Sequence, residues 1–378
     1  MEDVTLIYLD HAATTPIRQE ILDTYNSLLK DFFANPSSLH RLGQETSHLL
    51  LKAREQIAGL LKVKVDEVIF TSGATEANNL AIKGYALRYQ NRGKHIITTK
   101  TEHPSVLNAF KQLETLGFEC TYLGVNEEGK IDLDELKNAM RNDTILVSII
   151  AVNNEVGSIN DIEGIANIVH QYPKAVFHSD TTQAIGKVKL PYHLIDMFVL
   201  SAHKLNGLKG SGALIKKKNI DLLPLLSGGG QEFNYRSGTN DFAKEVTLAK
   251  TLRLILLELD EHYEYIDSLK KYLVSKLLEN DEIIINTPSD GSPYIVNMSF
   301  KTKKASVVVE SLSKAGIMVS TISACSSKKT AHSYVLEAMG KSKQLYQNSL
   351  RISFNYQNTV EEIDTFIEVL FKTLNSIR

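Results

Sequence analysis

A lysine that follows a predicted core strand is the residue in this sequence with the clearest capacity for chemistry. The apolar run at 195–200 has the length and β-branched content of a buried strand, and it leads directly into Ser201, His203 and Lys204 and then a glycine-rich loop. Ligands of open α/β sheets bind at the carboxyl ends of strands. An amine held there partly out of water has a lowered pKa and attacks carbonyl groups. A surface lysine in a basic loop is the ordinary alternative. A catalytic role is favoured only if other reactive residues lie at the same edge of the sheet.

A hydroxyl-rich turn with the composition of an anion site follows another predicted strand. The strand at 68–70 leads into a turn that contains Gly73, Ala74 and Thr75, and a helix is predicted at 77–89. Free backbone N–H groups and the helix dipole favour phosphate in such a turn. Ser and Thr are also common N-caps of helices, so this turn alone does not separate the two interpretations.

Further polar side chains follow the other predicted strands of the same region. Together with Lys204 described above, the set is Thr75, His103, Asn154, Asp180, Gln183, Ser201, His203 and Lys204. If the strands are parallel, these residues converge on one edge of the sheet. The set fits pyridoxal phosphate, because Lys204 would form an imine, Asp180 would keep the pyridine nitrogen protonated and His103 would stack on the ring. A metal site is the main alternative, and the absence of HxH or HExxH spacing disfavours it.

The two cysteines differ in their predicted surroundings. Cys120 and Cys325 are far apart and form no CxxC pair, which disfavours a disulfide framework or a thiolate zinc site. Cys325 lies in a small, polar loop beside Lys328 and Lys329, which favour its thiolate. Cys120 lies in an apolar strand, where we expect an inert thiol. The loop cysteine is therefore a second predicted nucleophile.

The element pattern predicts a large α/β domain and a smaller α+β domain. Strands of the first are predicted at 68–70, 95–99, 118–123, 145–152, 175–179, 195–200 and 212–216, with helices between most of them. A long helical segment at 243–279 connects to the second domain. We assign 15–250 to the large domain, and 1–14 with 251–378 to the small domain, which carries the cysteine loop at about 320–332.

Composition excludes several classes of function. The 378 residues are 43% hydrophobic and 23% charged with a net charge of -2, so direct nucleic-acid binding has no basic footprint. No stretch approaches the roughly 18 to 20 apolar residues of a membrane span. The amino-terminal residues are acidic and lack the basic start of a signal peptide. We expect a cytoplasmic protein.

An ordered set of motifs along nearly the whole chain resembles the cysteine desulfurases of the NifS/IscS type, in the class V aminotransferase family. The motifs are YLDHAATTP (8–16), NPSS (35–38), FTSGATEANN (70–79), TEH (101–103), NNE (153–155), DTTQ (180–183), SAHK (201–204), GGGQE (228–232), RSGT (236–239) and SAC (323–325). Each is modest alone, and the order makes the set specific. The resemblance implies fold type I of pyridoxal-phosphate enzymes, with a mostly parallel seven-stranded sheet, a smaller α+β domain and a homodimer.

The resemblance also implies roles for individual residues. Lys204 would be the Schiff-base lysine, His103 the stacking acid/base group, Asp180 the partner of the pyridinium and Gln183 the partner of the ring oxygen. The phosphate would be held by Gly73, Ala74, Thr75, Ser201 and His203, with Thr239 of the partner subunit. Asn154, beside the cofactor, and Arg351 would bind the substrate carboxylate, and Asn35 would line that pocket.

The implied reaction converts L-cysteine to L-alanine. Cys325 would capture the sulfur as a persulfide and pass it to an acceptor protein for iron–sulfur cluster assembly or tRNA thiolation. Several positions depart from the family, namely Ile322 in place of a glycine, Leu208 in place of a proline, and Leu205 and Asn206 in place of an aromatic or basic pair. They leave the cofactor set whole and bear on loop mobility, turnover and the choice of acceptor.

Two other functions remain open from the residues alone. A different fold-type-I pyridoxal-phosphate enzyme, such as a selenocysteine lyase or an aminotransferase, would not need Cys325. A non-catalytic sulfur-transfer scaffold would bind partners and would form no imine at Lys204.

Overall fold

Three sheets, of seven, four and two strands, and the helices around them form the part of the molecule that the structure describes. The structure, a computed structural model, describes residues 6–321 and 332–377. Its strands are β1 (Ile7–Tyr8), β2 (Val68–Thr71), β3 (His95–Thr99), β4 (Glu119–Leu123), β5 (Thr144–Ser148), β6 (Val176–Asp180), β7 (Met197–Ser201), β8 (Gly212–Lys216), β9 (Ile283–Ile285), β10 (Ile295–Phe300), β11 (Ile317–Met318), β12 (Ser320–Thr321) and β13 (Ser349–Ser353).

The helices cover the faces of these sheets. They are α1 (Gln19–Asp31), α2 (Arg41–Leu61), α3 (Ala74–Asn79), α4 (Tyr85–Tyr89), α5 (Pro104–Thr115), α6 (Leu133–Ala139), α7 (Ile162–Val169), α8 (Phe242–Leu257), α9 (Leu259–Leu277), α10 (Ala305–Lys314), α11 (Tyr334–Ala338), α12 (Lys343–Gln347) and α13 (Val360–Ser376). A π-helical turn at Leu80–Gly84 joins α3 to α4. Within the described residues, no helix is long and apolar enough to cross a membrane.

The larger sheet has seven strands in the order β2-β8-β7-β6-β5-β3-β4. Only β8 runs antiparallel to its neighbours, and the pairs among β3, β4, β5, β6 and β7 are parallel. The prediction of a mostly parallel sheet is confirmed. Strands β3, β5 and β7 are buried along their whole length because helices cover both faces, which agrees with the β-branched and apolar residues at their centres. Their carboxyl ends therefore lie along one edge.

A four-stranded antiparallel sheet in the order β12-β13-β10-β9 forms the smaller unit. Its core includes Leu273 of α9, Val308 of α10 and Phe366 of α13. Strand β1 pairs in parallel with β11, and Leu9 joins the same core, so the start of the described chain packs with the carboxyl-terminal part. The boundary that we placed at residue 250 stays a prediction.

One predicted element is wrong, namely a continuous helix over 243–279. The structure has two helices, and Glu258 between them leaves the helical conformation with φ -100° and ψ 6°. Its carboxylate binds the guanidinium of Arg18. Residue Ile255 of α8 packs in the core of the large sheet, whereas Leu269 of α9 packs in the core of the small unit. The helix breaks because its two halves serve different cores.

Gly212 makes the closest backbone approach near the edge where the strands end. A Cβ atom at this position would lie 2.5 Å from the carbonyl oxygen of Leu200 and 2.6 Å from the Cα of Gly73. Gly59, on the exposed face of α2, has no neighbouring atom within 4 Å of an added Cβ. The two glycines therefore form a matched pair for substitution.

We expect Gly212→Ala to lower the free energy of unfolding by about 1 to 3 kcal/mol, because β7 and the turn at Gly73 must shift to admit the methyl group. Gly59→Ala should raise it by about 0.5 to 1 kcal/mol, because alanine is the better helix former. Urea unfolding followed by circular dichroism measures both. Equal stability of the two variants would contradict the packing described for Gly212.

Candidate active site

A cavity of about 600 Å³ lies at the carboxyl ends of the parallel strands, within the usual size of small-molecule sites. The sequence-predicted residues that line it are Gly73, Ala74, Thr75, His103, Asn154, Asp180, Gln183, Ser201, His203, Lys204 and Arg351. The structure therefore brings most of the predicted set together. Their individual roles stay predictions.

Lys204 ends a short 3-10 turn that follows β7, and the amino-terminal segment holds its side chain. The Nζ atom donates hydrogen bonds to the carbonyl oxygens of Ala12 (2.5 Å) and Ala13 (2.7 Å). The same segment is tied to the loop by Thr15, whose N–H and hydroxyl both donate to the carbonyl oxygen of His203 at 2.9 Å. The amine thus lies at a defined place at the edge of the sheet.

Asp180 is the last residue of β6 and is almost fully buried. Its Oδ1 accepts from the backbone N–H of Thr182 (2.9 Å), which is the Asx turn expected of such a residue. Its Oδ2 accepts from Asn78 Nδ2 (2.7 Å), and the same amide nitrogen donates to Ser105 Oγ (2.9 Å). The carboxylate is therefore both a turn residue and part of the cavity wall.

His103 continues this network as the N-cap residue of α5. Its Nδ1 accepts from the backbone N–H of Ser105 (3.2 Å) and lies 2.8 Å from the hydroxyl of that residue. Burial lowers the pKa of His103, with a smaller opposing effect of Asp180 and a further lowering by Lys204. The ring is accordingly neutral at pH 7, and acceptance at Nδ1 places its proton on Nε2.

The turn before α3 and the loop after β7 line the end of the cavity where phosphate binding is predicted. Gly73 has φ 144°, which other residues rarely adopt, and an added Cβ would lie 3.4 Å from Ser201 Oγ. The pKa of His203 is lowered to about 4, mainly by burial and then by Lys204, Lys209 and Lys187. His203 is thus neutral and would bind a phosphate through a hydrogen bond, with cationic lysines nearby.

Arg351 of β13 carries the opposite end of the cavity. Its NH1 donates to the carbonyl oxygen of Asn154 and its NH2 to Asp10 Oδ1, both at 2.9 Å. Its Nε and the Oδ1 of Asn154 are buried and have no hydrogen-bond partner among the described residues. Unpaired buried groups are costly, so they mark where a polar ligand fits. The role of Arg351 as the clamp for a substrate carboxylate stays a prediction.

Two predicted site residues, Asn35 and Thr239, are not among the described residues that line this cavity, and a third, Cys325, is not described. Asn35 is exposed and caps a turn, its Oδ1 accepting from the N–H of Ser37 at 2.9 Å. Thr239 is exposed and does not line the cavity of its own chain. Cys325 lies outside the described residues, as does Ile322. The roles given to all three stay predictions.

Several residues at the site were not singled out from the sequence, namely Asp10, Ala12, Ala13, Asn78 and Ser105. Asp10 and Asn78 do lie inside the quoted motifs. Asn78 is four residues after Ala74 and therefore on the same helix face, and this spacing could have placed its amide at the site. Ala12 and Ala13 act through their carbonyl groups, which leave no mark on side-chain chemistry.

Cys120 agrees with its predicted inertness. It lies in β4, and its Sγ is 3.7 Å from the carbonyl oxygen of Phe110. Burial, with a smaller contribution from Glu114, raises the pKa of the thiol to about 12. The thiolate that attacks or binds ligands is therefore scarce at this position.

The donor set fits pyridoxal phosphate. An amine, a buried carboxylate and a glycine-containing turn before a helix are the groups that its aldehyde, pyridine nitrogen and phosphate require. The fold and the cavity define a pyridoxal-phosphate-dependent enzyme of the α/β type.

Comparisons with known proteins give the family. The chain matches the Aminotransferase class-V family over residues 7–366. It is 40% identical over 376 residues to the cysteine desulfurase IscS of Dictyoglomus turgidum, covering 98% of this chain and 95% of that protein. It is 40% identical over 364 residues to the putative cysteine desulfurase IscS 1 of Bacillus subtilis, covering 95% of this chain and 96% of that protein. The chain therefore belongs to the class-V aminotransferase family, whose cofactor is pyridoxal 5′-phosphate.

Solved structures agree with this assignment. A NifS-like protein superposes with a TM-score of 0.93 at 35% identity, covering 99% of this chain and all of that chain (100%). A structure described as SspA in complex with cysteine superposes with a TM-score of 0.83 at 32% identity, covering 94% of this chain and 100% of that chain. The predicted fold class is confirmed.

We expect Asn78→Ala to lower kcat/KM about 10- to 100-fold. The substitution removes the buried N–H donor to Asp180 Oδ2 and Ser105 Oγ, and leaving a buried acceptor without its donor costs about 1 to 3 kcal/mol. Asn79→Ala is the matched control, since Asn79 donates only to the carbonyl oxygen of Thr75 on the exposed side of the helix. Steady-state kinetics with saturating cofactor measures both. Equal losses in the two variants would show that the network does not support the site.

We expect Arg351→Leu to lose discrimination for a substrate carboxylate. The ratio of kcat/KM for cysteine to that for cysteamine, which lacks the carboxylate, should fall about 10- to 100-fold, because a charge-assisted hydrogen bond contributes roughly 1.5 to 3 kcal/mol. Arg141→Leu is the control, as Arg141 pairs with Glu119 and Asp143 on the surface. A ratio that stays at the wild-type value in Arg351→Leu would exclude the clamp.

Proposed function

We propose that this chain is a pyridoxal-phosphate-dependent cysteine desulfurase that takes sulfur from L-cysteine and releases L-alanine. The observation that carries the proposal is the placement of Lys204, Asp180 and Arg351 around one cavity. A lysine amine, a carboxylate and a carboxylate-binding guanidinium are what an amino-acid substrate and this cofactor need together. Relatives that bear the name cysteine desulfurase, at 40% identity over nearly the whole chain, support the choice of substrate.

Pyridoxal phosphate, when bound, supplies an aldehyde that captures amines and a ring that accepts electrons. Lys204 would hold the aldehyde carbon, Asp180 the ring nitrogen and the turn at Gly73 the phosphate, with Ser201 and His203 beside it. The two carbonyl groups that now bind the Lys204 amine would orient it toward the ring.

The chain's own residues would manage the substrate and its protons. Arg351 would orient the substrate through its carboxylate, with Asp10 holding the guanidinium in place. The neutral ring of His103 would move a proton at Nε2, because Nδ1 is committed to Ser105. Lys204 would remove the proton from the α-carbon as a general base.

Cys325 would collect the sulfur. Its thiolate forms an S–S bond with the substrate sulfur as the C–S bond breaks. The electron pair of the broken bond stays with the substrate carbon, which takes a proton and becomes the methyl group of alanine. The persulfide then passes to an acceptor protein, for which iron–sulfur cluster assembly and tRNA thiolation are the two proposed destinations.

We further propose that the chain works as a homodimer in the cytoplasm. Thr239 is exposed, and the loop before it is fixed by Arg236, whose Nε lies 2.8 Å from Glu76 Oε1. This arrangement would present Thr239 to the phosphate of the partner subunit. Large apolar side chains such as Phe33 (77% exposed) and Leu39 (91% exposed) also favour a covered surface near α1 and α2.

The proposed function predicts different outcomes for the two cysteines. Wild-type protein with cofactor should release alanine from cysteine, and Cys325→Ser should lower sulfur transfer to protein acceptors about 100-fold or more, as loss of a nucleophile does. Cys120→Ser should stay within about twofold, since that thiol is protonated in a strand. Alanine release and persulfide labelling measure the two steps.

Two results would count against this function. Full sulfur transfer by Cys325→Ser would exclude the proposed relay. Formation of a keto acid from an amino donor, with no alanine from cysteine, would favour an aminotransferase instead.

A further inference from the structure

Lys187 is a second lysine beside the cavity, and the proposed reaction gives it no task. Its side chain is buried, and its Nζ lies 2.7 Å from Gln183 Oε1 and 5.7 Å from the centre of the Tyr294 ring. Across residues 6–321 and 332–377, no carboxylate forms an ion pair with it. A buried ammonium without a counter-ion is costly, so its single polar contact needs an explanation.

The backbone between Gln183 and Lys187 is built to bring these two side chains together. The N–H groups of Ala184 and Ile185 donate to the carbonyl oxygen of Thr181, and the N–H of Lys187 donates to the carbonyl oxygen of Ala184. Gly186 has φ 69°, and an added Cβ would lie 2.2 Å from Ile255 Cγ2. The positive φ and the close contact with Ile255 require glycine at this position, and the backbone hydrogen bonds hold the turn in this shape.

Two contacts define the orientation of the Gln183 amide. Its Oε1 faces the Lys187 ammonium at 2.7 Å, and its Nε2 donates to the carbonyl oxygen of Ala12 at 3.0 Å. The reversed amide would place its NH₂ group against the ammonium and its oxygen against a carbonyl oxygen, which are both repulsive. One N–H of Nε2 is used by Ala12, so the second N–H can donate to a ligand in the cavity that Gln183 lines.

We propose that Lys187 is a positioning residue, which locks Gln183 as a hydrogen-bond donor to the ring oxygen of bound pyridoxal phosphate and supplies positive charge beside that oxygen. The inference rests on the cofactor of the proposed function and not on the sulfur-transfer step. It assigns a purpose to a buried amine that has no carboxylate partner in the part of the chain that the structure describes.

The basic groups around Lys187 disfavour its charged form, which an anionic ligand would counteract. The pKa of Lys187 is lowered to about 7, first by burial and then by Lys204 and Arg351. Lys187 in turn contributes to lowering the pKa values of His11 and His203, where burial is the largest cause. The titratable groups that face Lys187 thus oppose its charge. An anionic ligand in the cavity would favour the charged lysine, so cofactor binding and protonation of Lys187 are linked.

Spectroscopy of the holoenzyme tests this assignment without relying on turnover. Loss of a nearby positive charge raises the pKa of any proton-binding group of the bound cofactor. We expect Lys187→Met to raise the midpoint of the pH titration of the visible absorbance by about one pH unit and to weaken cofactor binding about tenfold. Lys187→Gln keeps a donor to Gln183 but no charge, so it should raise the midpoint while binding the cofactor more tightly than Lys187→Met.

Two further variants serve as controls. Lys187→Arg keeps the charge and should titrate near the wild-type midpoint. Lys270→Met removes another buried lysine, which donates to carbonyl oxygens of the small unit, the shortest contact being 3.0 Å to Gly291. It should lower stability and leave the absorbance midpoint unchanged.

The assignment is overturned if folded Lys187→Met titrates at the wild-type midpoint, or if Lys270→Met shifts it equally. Should Lys187→Met not fold, the comparison of Lys187→Arg with Lys187→Gln decides, and equal midpoints in these two would overturn the role of the charge. Alanine release by the wild-type protein is measured in parallel. Its absence beside the expected spectral shifts would refute the desulfurase function and leave the role of Lys187 standing.

Discussion

The contacts between the Lys204 ammonium and the carbonyl groups of Ala12 and Ala13 are the constraint on which the rest of the site depends. The N–H groups of a half-buried ammonium need hydrogen-bond acceptors, and the two carbonyl oxygens accept charge-assisted hydrogen bonds from it. Those carbonyls belong to a segment that starts in the small unit, where Ile7 pairs with Ile317, and then runs along the edge of the large sheet. The lysine therefore joins both parts of the molecule.

Basic and acidic side chains both surround the cavity, and the basic ones influence one another. Lys204, Lys187 and Arg351 lie close enough to influence one another, and burial keeps His203 neutral beside them. Among the described residues, Asp10 is the carboxylate that pairs with Arg351, and Glu76, Glu155 and Asp180 line the cavity together with Lys204 and Lys209. His103 and His203 offer hydrogen bonds without adding positive charge, because burial lowers the pKa of both rings.

The sequence allowed most of the sheet to be predicted and less of the site's support. The strands at His95–Thr99 and Gly212–Lys216 agree with prediction to the residue, because continuous β-branched and apolar runs leave few alternatives. The positions of Lys204 and Asp180 followed from the rule that ligands gather at the carboxyl ends of parallel strands. The break at Glu258 was not predictable, because it depends on tertiary contacts. These are the packing of α8 and α9 in different cores and the contact with Arg18, which is 240 positions earlier in the chain.

The supporting contacts escaped prediction for a related reason. Backbone carbonyls such as those of Ala12 carry no side-chain signal, and their proximity to Lys204 exists only after the two units meet. Gln183 could be placed at the site from its position after β6, but the direction of its amide depends on Lys187, which composition alone marks as an ordinary surface residue. Tertiary contacts therefore decide how the predicted residues are held.

The most direct test of the central claim is to find which lysine carries the cofactor. The holoenzyme is reduced with borohydride, which fixes the cofactor covalently to its lysine, and the digested peptides are weighed by mass spectrometry. We expect the added mass on the peptide that contains Lys204 and an unmodified peptide at Lys187. Cofactor mass on Lys187, or on neither lysine, would contradict it.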